Sequence, residues 1–156
     1  PPWILEGMIA EFASPSGFDI VTPAVRLTDD MLSELRAHKE KAPSSGTTVA
    51  FDLNHNALYF SKQIIPFVRK PGFVSVYRHI GLYGYTRSGL KRYVALPPSP
   101  LENTEGLEQL RALENGMTVR VVVVDYRGRT HASVDTPEDI AVVEQLIARE
   151  GELVST

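Results

Sequence analysis

The stretch TVRVVVVD, residues 118–125, decides the predicted fold of this chain. Its four consecutive valines, residues 121–124, show no alternation of apolar and polar side chains, which is typical of a strand buried on both faces. Residues 136–139, Thr-Pro-Glu-Asp, predict a helix start, because a hydroxyl residue precedes a proline and an acid occupies the third helical position. A buried strand followed by a capped helix indicates an α/β sheet with helices on its faces.

Helices and strands alternate along the rest of the sequence. Helices are predicted from an apolar stripe near the N-terminus (Ile4, Leu5, Met8, Ile9, Phe12), over residues 29–41 and 88–96, from Pro100 onwards, and over 137–149, with Ile140, Val143, Leu146 and Ile147 as the last stripe. Strands are predicted over residues 19–25, 48–52, 57–61, 74–86 and 118–125. Pro23 suggests that the first strand lies at a sheet edge or ends there, because proline donates no ladder hydrogen bond.

The turn signal at residues 54–56 joins the two strands within residues 47–61 into a hairpin. An antiparallel hairpin among alternating strands and helices makes the predicted sheet mixed. We therefore predict a single α/β domain over residues 1–156, with a mixed sheet flanked by helices.

Composition limits the classes of partner. The chain has 156 residues, 43% of them hydrophobic, a formal net charge of −3 and no cysteine. The acidic balance argues against a nucleic-acid partner, and no apolar run approaches the ~18 residues of a membrane span. The absence of cysteine excludes disulfides and thiolate metal sites and fits a cytoplasmic location. No signal peptide is readable at the N-terminus.

Residues 78–85, RHIGLYGY, form the first candidate cluster. In a strand, His79, Gly81, Tyr83 and Tyr85 share one face, which presents an imidazole, two phenols and a gap. Such a face suits a polyhydroxylated ligand lying flat on it. A buried strand whose polar side chains are satisfied locally explains the same pattern, since a single histidine is weak evidence.

The second cluster lies on the helix predicted from Pro100 and consists of Glu102, Glu105, Glu108, Gln109 and Arg111. Glu108 and Gln109 can accept from and donate to vicinal hydroxyls. A solvated acidic helix face is the alternative.

The third cluster centres on Asp135, where a strand gives way to a capped helix, the edge at which α/β proteins bind ligands. A carboxylate there is a natural Mg²⁺ ligand, although a turn residue is an equal interpretation. The sequence contains neither GxxxxGK[ST] nor GxGxxG, so no phosphate-binding glycine loop is present in these residues.

Several motifs occur in the order and spacing of one family. They are LYFS (58–61), Ile65-Pro66, RHIGLYGY (78–85), SPLE (99–102), LEQLR (107–111) and VDTPED (134–139). Over roughly residues 47–149 the chain resembles the CMP-Kdo synthetases, also called 3-deoxy-manno-octulosonate (Kdo) cytidylyltransferases.

The resemblance implies a nucleotide-diphospho-sugar transferase fold, which is Rossmann-like, and a homodimer with no membrane partner. It also implies that the enzyme joins CTP to Kdo, releasing pyrophosphate, in lipopolysaccharide biosynthesis. Carried over by residue, His79, Tyr83, Glu108 and Gln109 would contact the sugar, Arg69 and Lys62 would lie in the substrate-binding segment, and Asp135 would bind the catalytic Mg²⁺. We expect the 47–61 hairpin at the dimer interface, because a two-stranded ribbon is marginal on its own in water.

Two departures from the family pattern shape the expectations. Lys62 stands where the family has arginine. A compact ammonium group thus replaces a planar guanidinium that can bind a carboxylate through two hydrogen bonds. The family's N-terminal, nucleotide-binding third has no counterpart in these residues, so we expect the 156-residue chain to be inactive alone. The alternatives are a cytidylyltransferase for a related acidic sugar and a non-catalytic sugar-acid-binding or dimerisation module.

Overall fold

The computed structural model describes residues 1–13, 17–70, 75–130, 134 and 137–152. The helices are α1 (Pro2–Phe12), α2 (Asp29–Lys41), α3 (Arg87–Val94), α4 (Pro100–Glu105), α5 (Gln109–Glu114) and α6 (Pro137–Glu150). The strands are β1 (Ile20–Arg26), β2 (Thr48–Phe51), β3 (Ala57–Ser61), β4 (Tyr77–His79), β5 (Gly84–Tyr85) and β6 (Val119–Val124).

The six strands form one mixed sheet around β1. β6 runs parallel to β1 along one edge, while β4 and β5 lie end to end and antiparallel along the other. β2 continues the sheet beyond β4, and β3 pairs with β2. This arrangement confirms the predicted mixed sheet flanked by helices and the predicted hairpin.

The predicted edge position of Pro23 is wrong, because β1 is the central strand. The Pro23 carbonyl accepts from the backbone N–H of Ile80 (3.0 Å), on the side of β1 where β4 has ended and β5 has not begun. The N–H and C=O of one strand residue point to the same neighbour. The donor that proline lacks would therefore face the interruption between β4 and β5, where no ladder bond is required.

Each face of the sheet carries its own buried cluster. The first lies between the sheet and the α4–α5 segment and contains Ile20, Ala24, Val49, Phe60, Leu107, Leu110, Val119 and Val121. The second lies under α1 and α2 and contains Ile4, Met8, Val21, Val25, Leu32, Leu35, Val76 and Ile80. The alternation of side chains along β1 divides its residues between the two clusters.

β6 is less buried than its valines predict. Val119 and Val121 are buried, whereas Val123 is 40% exposed and the side chains between them are half-buried. The reason is its position: among the described residues, the second edge of β6 meets only the hairpin turn. There the N–H of Val121 donates to the His55 carbonyl (2.8 Å), and Asn56 forms an isolated bridge with Arg120.

The helix predicted from Pro100 is two helices. Gly106 adopts the left-handed conformation (φ 64°) that ends α4, so Glu108 and Gln109 belong to a separate segment. The predicted capping box is only half formed, because the Oγ of Ser99 is buried without a hydrogen-bond partner. The buried Glu102 carboxylate accepts from the backbone N–H of Ser99 (3.0 Å) and from two nitrogens of Arg111, and these bonds clamp α4 onto α5.

The apolar stripe predicted on the last helix is present on α6 but is not sealed from solvent. Ile140 is 49% exposed and Ile147 is 45% exposed. On α1, Ile4 and Met8 are buried, while Leu5 and Ile9 are 50% and 66% exposed. Among the described residues, no helix is both long and apolar enough to span a membrane.

A glycine in the first turn of α3 provides a test of the packing. A Cβ added at Gly89 would lie 2.4 Å from the backbone oxygen of Asp19. We expect Gly89→Ala to lower the free energy of unfolding by about 2 kcal/mol, because backbone must shift to relieve the overlap. At Gly81 the added Cβ meets nothing within 4 Å, so Gly81→Ala should stay within about 1 kcal/mol of wild type. Urea denaturation measures both, and equal effects would contradict the described packing.

Candidate functional site

The strand predicted over residues 74–86 is interrupted. Ala24 of β1 pairs with His79 of β4, and Ile20 pairs with Tyr85 of β5. Two residues of β1, Thr22 and Pro23, therefore face four residues, 80–83. Because the insertion is an even number of residues, the alternation of side chains is kept, and His79 and Tyr85 still lie on the same face.

Five aromatic rings follow one another across that face and define what we call the aromatic row: Phe60, His79, Tyr83, Tyr85 and Tyr93. The centroid of the His79 ring lies 5.0 Å from that of Phe60 and 5.5 Å from that of Tyr83. Tyr85 lies 6.4 Å from Tyr83 and 5.7 Å from Tyr93. The row runs from the buried core beside β3 to α3 and presents imidazole and phenol groups together.

His79 is the most deeply placed polar group of the row. Its Nε2 lies 2.8 Å from the hydroxyl oxygen of Thr22. Burial, with a smaller contribution from the nearby charge of Lys62, lowers the pKa of His79 from 6.5 to about 4. The imidazole is therefore neutral at physiological pH and can both donate and accept one hydrogen bond.

Tyr83 lies further out, with 36% of its surface exposed. Burial raises the pKa of its hydroxyl well above the usual value of 10, and Tyr85, Tyr93 and Glu108 add to the shift. The phenol is therefore a neutral hydrogen-bond donor. Glu108, the predicted partner of His79 and Tyr83, lies near the row on the short segment after α4, where its backbone carbonyl accepts from the Tyr93 hydroxyl.

Gln109 begins α5 at the base of this region. Its side chain is 5% exposed, and its Nε2 is buried with no hydrogen-bond partner. The adjacent backbone carbonyl of Glu108 accepts from the Tyr93 hydroxyl (3.1 Å), which ties the segment to the end of the aromatic row. Arg111 lies over the Tyr93 ring at 5.2 Å from its centroid.

Lys62 is held through its backbone. Its N–H donates to the Glu105 carboxylate (2.8 Å), and its carbonyl accepts from the ammonium of Lys39 (2.5 Å). Glu105 also accepts from the Ser61 hydroxyl (2.7 Å). The alternative of a purely solvated acidic face is therefore wrong for Glu102 and Glu105, since both carboxylates form specific internal bonds.

The remaining predicted site residues lie apart from the row. Arg69 is exposed and lines a cavity of about 370 Å³ with Phe67 and Lys70, and none of the described contacts joins it to His79 or Tyr83. Asp135 lies outside the described residues. Within the described part of the chain, no three histidine or acidic side chains converge on a point that could hold a metal ion.

Sequence reasoning missed Thr22, Tyr93 and the bond between Glu105 and Lys62. Thr22 carries a weak signal, because it is a hydroxyl in the middle of an apolar strand. Tyr93 carries none, because its place in the row depends on where α3 packs. The charge of Arg111, in contrast, was noticed but serves mainly to bind Glu102.

The lowered pKa of His79 predicts a pH dependence of stability. The free energy of unfolding should fall as the pH drops from 6.5 towards about 4, because in that window the unfolded chain binds a proton that the folded chain does not. The loss is at most about 1.4 kcal/mol per pH unit. The glutamine of His79→Gln cannot titrate. The free energy of unfolding of the wild type minus that of the variant should therefore decrease as the pH falls through this window and stay constant above pH 6.5. A difference that stays flat would contradict a neutral, buried imidazole.

Comparisons with known proteins agree with this architecture. A model of the cytidylyltransferase family matches residues 29–119. The 3-deoxy-manno-octulosonate cytidylyltransferase of Maricaulis maris (strain MCS10) is 51% identical over 155 residues, which are 99% of this chain and 60% of the relative. The 8-amino-3,8-dideoxy-manno-octulosonate cytidylyltransferase of Shewanella pealeana (strain ATCC 700345 / ANG-SQ1) is 39% identical over 92% of this chain and 54% of the relative.

A solved structure of CMP:2-keto-3-deoxy-manno-octonic acid synthetase complexed with CTP is also similar. It superimposes with a TM-score of 0.80 at 30% identity, over 96% of this chain and 57% of the solved one. The chain thus spans a little over half the length of these relatives. The resemblance to CMP-Kdo synthetases is confirmed, and the chain belongs to the cytidylyltransferase family.

Proposed function

We propose that these residues form the sugar-binding part of an enzyme that transfers a cytidylyl group from CTP to Kdo and releases pyrophosphate, for lipopolysaccharide biosynthesis. The names of the relatives and the CTP in the similar solved structure support this chemistry. The observation within this chain that carries the proposal is the unpartnered Nε2 of the buried Gln109.

A buried donor without a partner is costly, at about 1–3 kcal/mol. Gln109 lies at the start of α5, in the segment fixed to the aromatic row by the bond between the Tyr93 hydroxyl and the Glu108 carbonyl. A ligand hydroxyl or ring oxygen reaching Gln109 would satisfy this donor. The cost in the free protein then becomes a gain on binding, which is the arrangement expected of a preformed sugar site.

The rest of the site matches a polyhydroxylated acid. Tyr83 supplies a neutral donor, the neutral His79 supplies one donor and one acceptor, and the exposed Glu108 carboxylate accepts from hydroxyls. The rings of the aromatic row offer apolar surface to the C–H face of a sugar. The charge of Lys62 acts on His79, so we assign to Lys62 the role of binding the sugar carboxylate. A role for Arg69 in binding the substrate stays a prediction.

We also propose that the reaction depends on Mg²⁺ and that Asp135 is one of its ligands. The ion prefers one or two carboxylates together with phosphate oxygens, and when bound it would neutralise phosphate charge. A cytoplasmic location likewise stays a prediction.

Gln109→Leu tests the proposed sugar site. The substitution removes the unpartnered donor and keeps the approximate volume, so the free energy of unfolding should stay the same or rise. The affinity for Kdo should fall about five- to thirtyfold, because a hydrogen bond worth roughly 1–2 kcal/mol is lost. Ligand-observed NMR titration with Kdo measures the affinity. Binding is the readout because the chain alone is expected to release no pyrophosphate from CTP.

Gln145→Leu is the matched control, since Gln145 is exposed on α6 and should leave the affinity unchanged. Titration with 8-amino-3,8-dideoxy-manno-octulosonate tests the related acidic sugar, and tighter binding of that sugar would replace Kdo in the proposal. A Gln109→Leu protein that binds Kdo as wild type does would contradict the site.

We propose a homodimer that uses the outer surface of the 47–61 hairpin. The hairpin is not an isolated ribbon, because β2 pairs with β4 and the turn is bonded to β6. The support comes instead from large apolar side chains left exposed on the hairpin and just after it: Leu53 (101%), Leu58 (63%) and Phe67 (88%). Large apolar side chains that stay exposed within one segment are typical of an interaction surface.

A charge on this surface should separate the subunits. We expect Leu58→Glu to shift the protein from dimer to monomer in sedimentation equilibrium, because the carboxylate would be buried without a partner. Leu90→Glu places the same charge on α3, at a leucine that is 46% exposed, and should leave the mass unchanged. A wild-type protein that stays monomeric at high concentration would contradict the dimer.

A further inference from the structure

Thr22 is a buried hydroxyl that connects the candidate site to the centre of the sheet. Thr22 is 0% exposed and lies on β1 opposite the interruption between β4 and β5. The hydroxyl oxygen is 2.7 Å from the Leu82 carbonyl oxygen, 3.4 Å from the Ile80 carbonyl oxygen and 2.8 Å from Nε2 of His79. Three polar neighbours thus share one hydroxyl group.

The single proton of that hydroxyl decides the roles of its neighbours. A carbonyl oxygen can only accept, so the short contact to Leu82 requires the Thr22 proton. If His79 Nε2 also lacked a proton, its lone pair would face the hydroxyl oxygen with no hydrogen between them. His79 Nε2 therefore carries the proton and donates to Thr22.

We propose that Thr22 is a positioning residue for sugar recognition, because it holds His79 in the Nε2–H tautomer and leaves Nδ1 to accept from a sugar hydroxyl. The inference rests on the proposed function for the identity of the ligand. Among the described residues, no group bonds to Nδ1. A neutral imidazole carries one proton, so the choice of tautomer decides which nitrogen can accept.

The surroundings of His79 fix the plane of the ring as well as its tautomer. Phe60 meets the imidazole edge to face at 74°, and the centroid of the Tyr83 ring lies 5.5 Å from that of the imidazole. The bond from Thr22 to Leu82 also anchors the segment that carries Tyr83. One hydroxyl therefore holds two of the proposed sugar contacts in register with each other.

The test compares Thr22→Val, which keeps the shape of the side chain without its hydroxyl, with Thr22→Ser, which keeps the hydroxyl. Nitrogen-15 NMR of the histidine rings reports the tautomer, and titration with Kdo reports the affinity. Wild type should show Nε2–H at His79. Thr22→Val should lose this preference and bind Kdo about tenfold more weakly, the effect of one hydrogen bond. Thr22→Ser should keep both the Nε2–H tautomer of His79 and the wild-type affinity for Kdo.

Thr48→Val is the matched control for losing a buried threonine hydroxyl. Thr48 is also 0% exposed, but its hydroxyl bonds to the backbone of Gln63 and Ile65, so the His79 tautomer should not change. Nδ1–H at His79 in wild type would overturn the inference even if Thr22→Val fails to fold. A weaker affinity in Thr22→Val with an unchanged tautomer would overturn it too. If wild type binds no Kdo, the proposed function fails, while the tautomer measurement still decides the role of Thr22.

Discussion

The structure depends on how the central strand meets its antiparallel neighbours. Along β1, Thr22 and Pro23 face four residues, 80–83, where a continuous ladder would place two. Because the ladder is interrupted at this point, a proline can occupy the middle of the sheet. The interruption also leaves room for the Thr22 hydroxyl to reach the carbonyls of Ile80 and Leu82. It also pushes Tyr83 out of the ladder while keeping His79 and Tyr85 on one face. The same interruption thus accommodates Pro23 and shapes the candidate site.

The electrostatic character of the site follows from its burial. Desolvation lowers the pKa of His79 and raises that of Tyr83, so both groups are neutral hydrogen-bonding partners rather than charges. Recognition of hydroxyls by neutral groups avoids the desolvation cost of burying ions. Positive charge near His79 comes from Lys62, whose position is fixed through its backbone.

That fixation links three separate parts of the fold. The Lys39 ammonium of α2 donates to the carbonyls of Lys62 and Gly46 (2.5 and 2.7 Å), and Glu105 of α4 accepts from the N–H of Lys62. The end of the hairpin is therefore held between a helix on one face of the sheet and a helix on the other. A hairpin held in this way keeps its exposed leucines in fixed positions, which would lower the entropic cost of the proposed association.

The sequence by itself determined the local elements and the family. The sequence encodes within a few residues the bounds of α2, the hairpin turn and the starts of α4 and α6. Capping, turn formation and amphipathic periodicity all act over that range. The motifs around His79 and Gln109 were likewise sufficient to predict the family and to nominate residues that the fold brings near each other.

Only the tertiary structure decided how these elements meet. Pro23 indicated an edge strand, and residues 121–124 indicated a strand buried on both faces. Yet β1 is central, and within the described part of the chain β6 borders only the hairpin turn on its second side. Strand order depends on partners distant in sequence, and no local pattern records it. The contact of Thr22 with His79, 57 residues away, has the same origin. A hydroxyl in a strand can be recognised in the sequence, but the group that it bonds is chosen only when the sheet assembles.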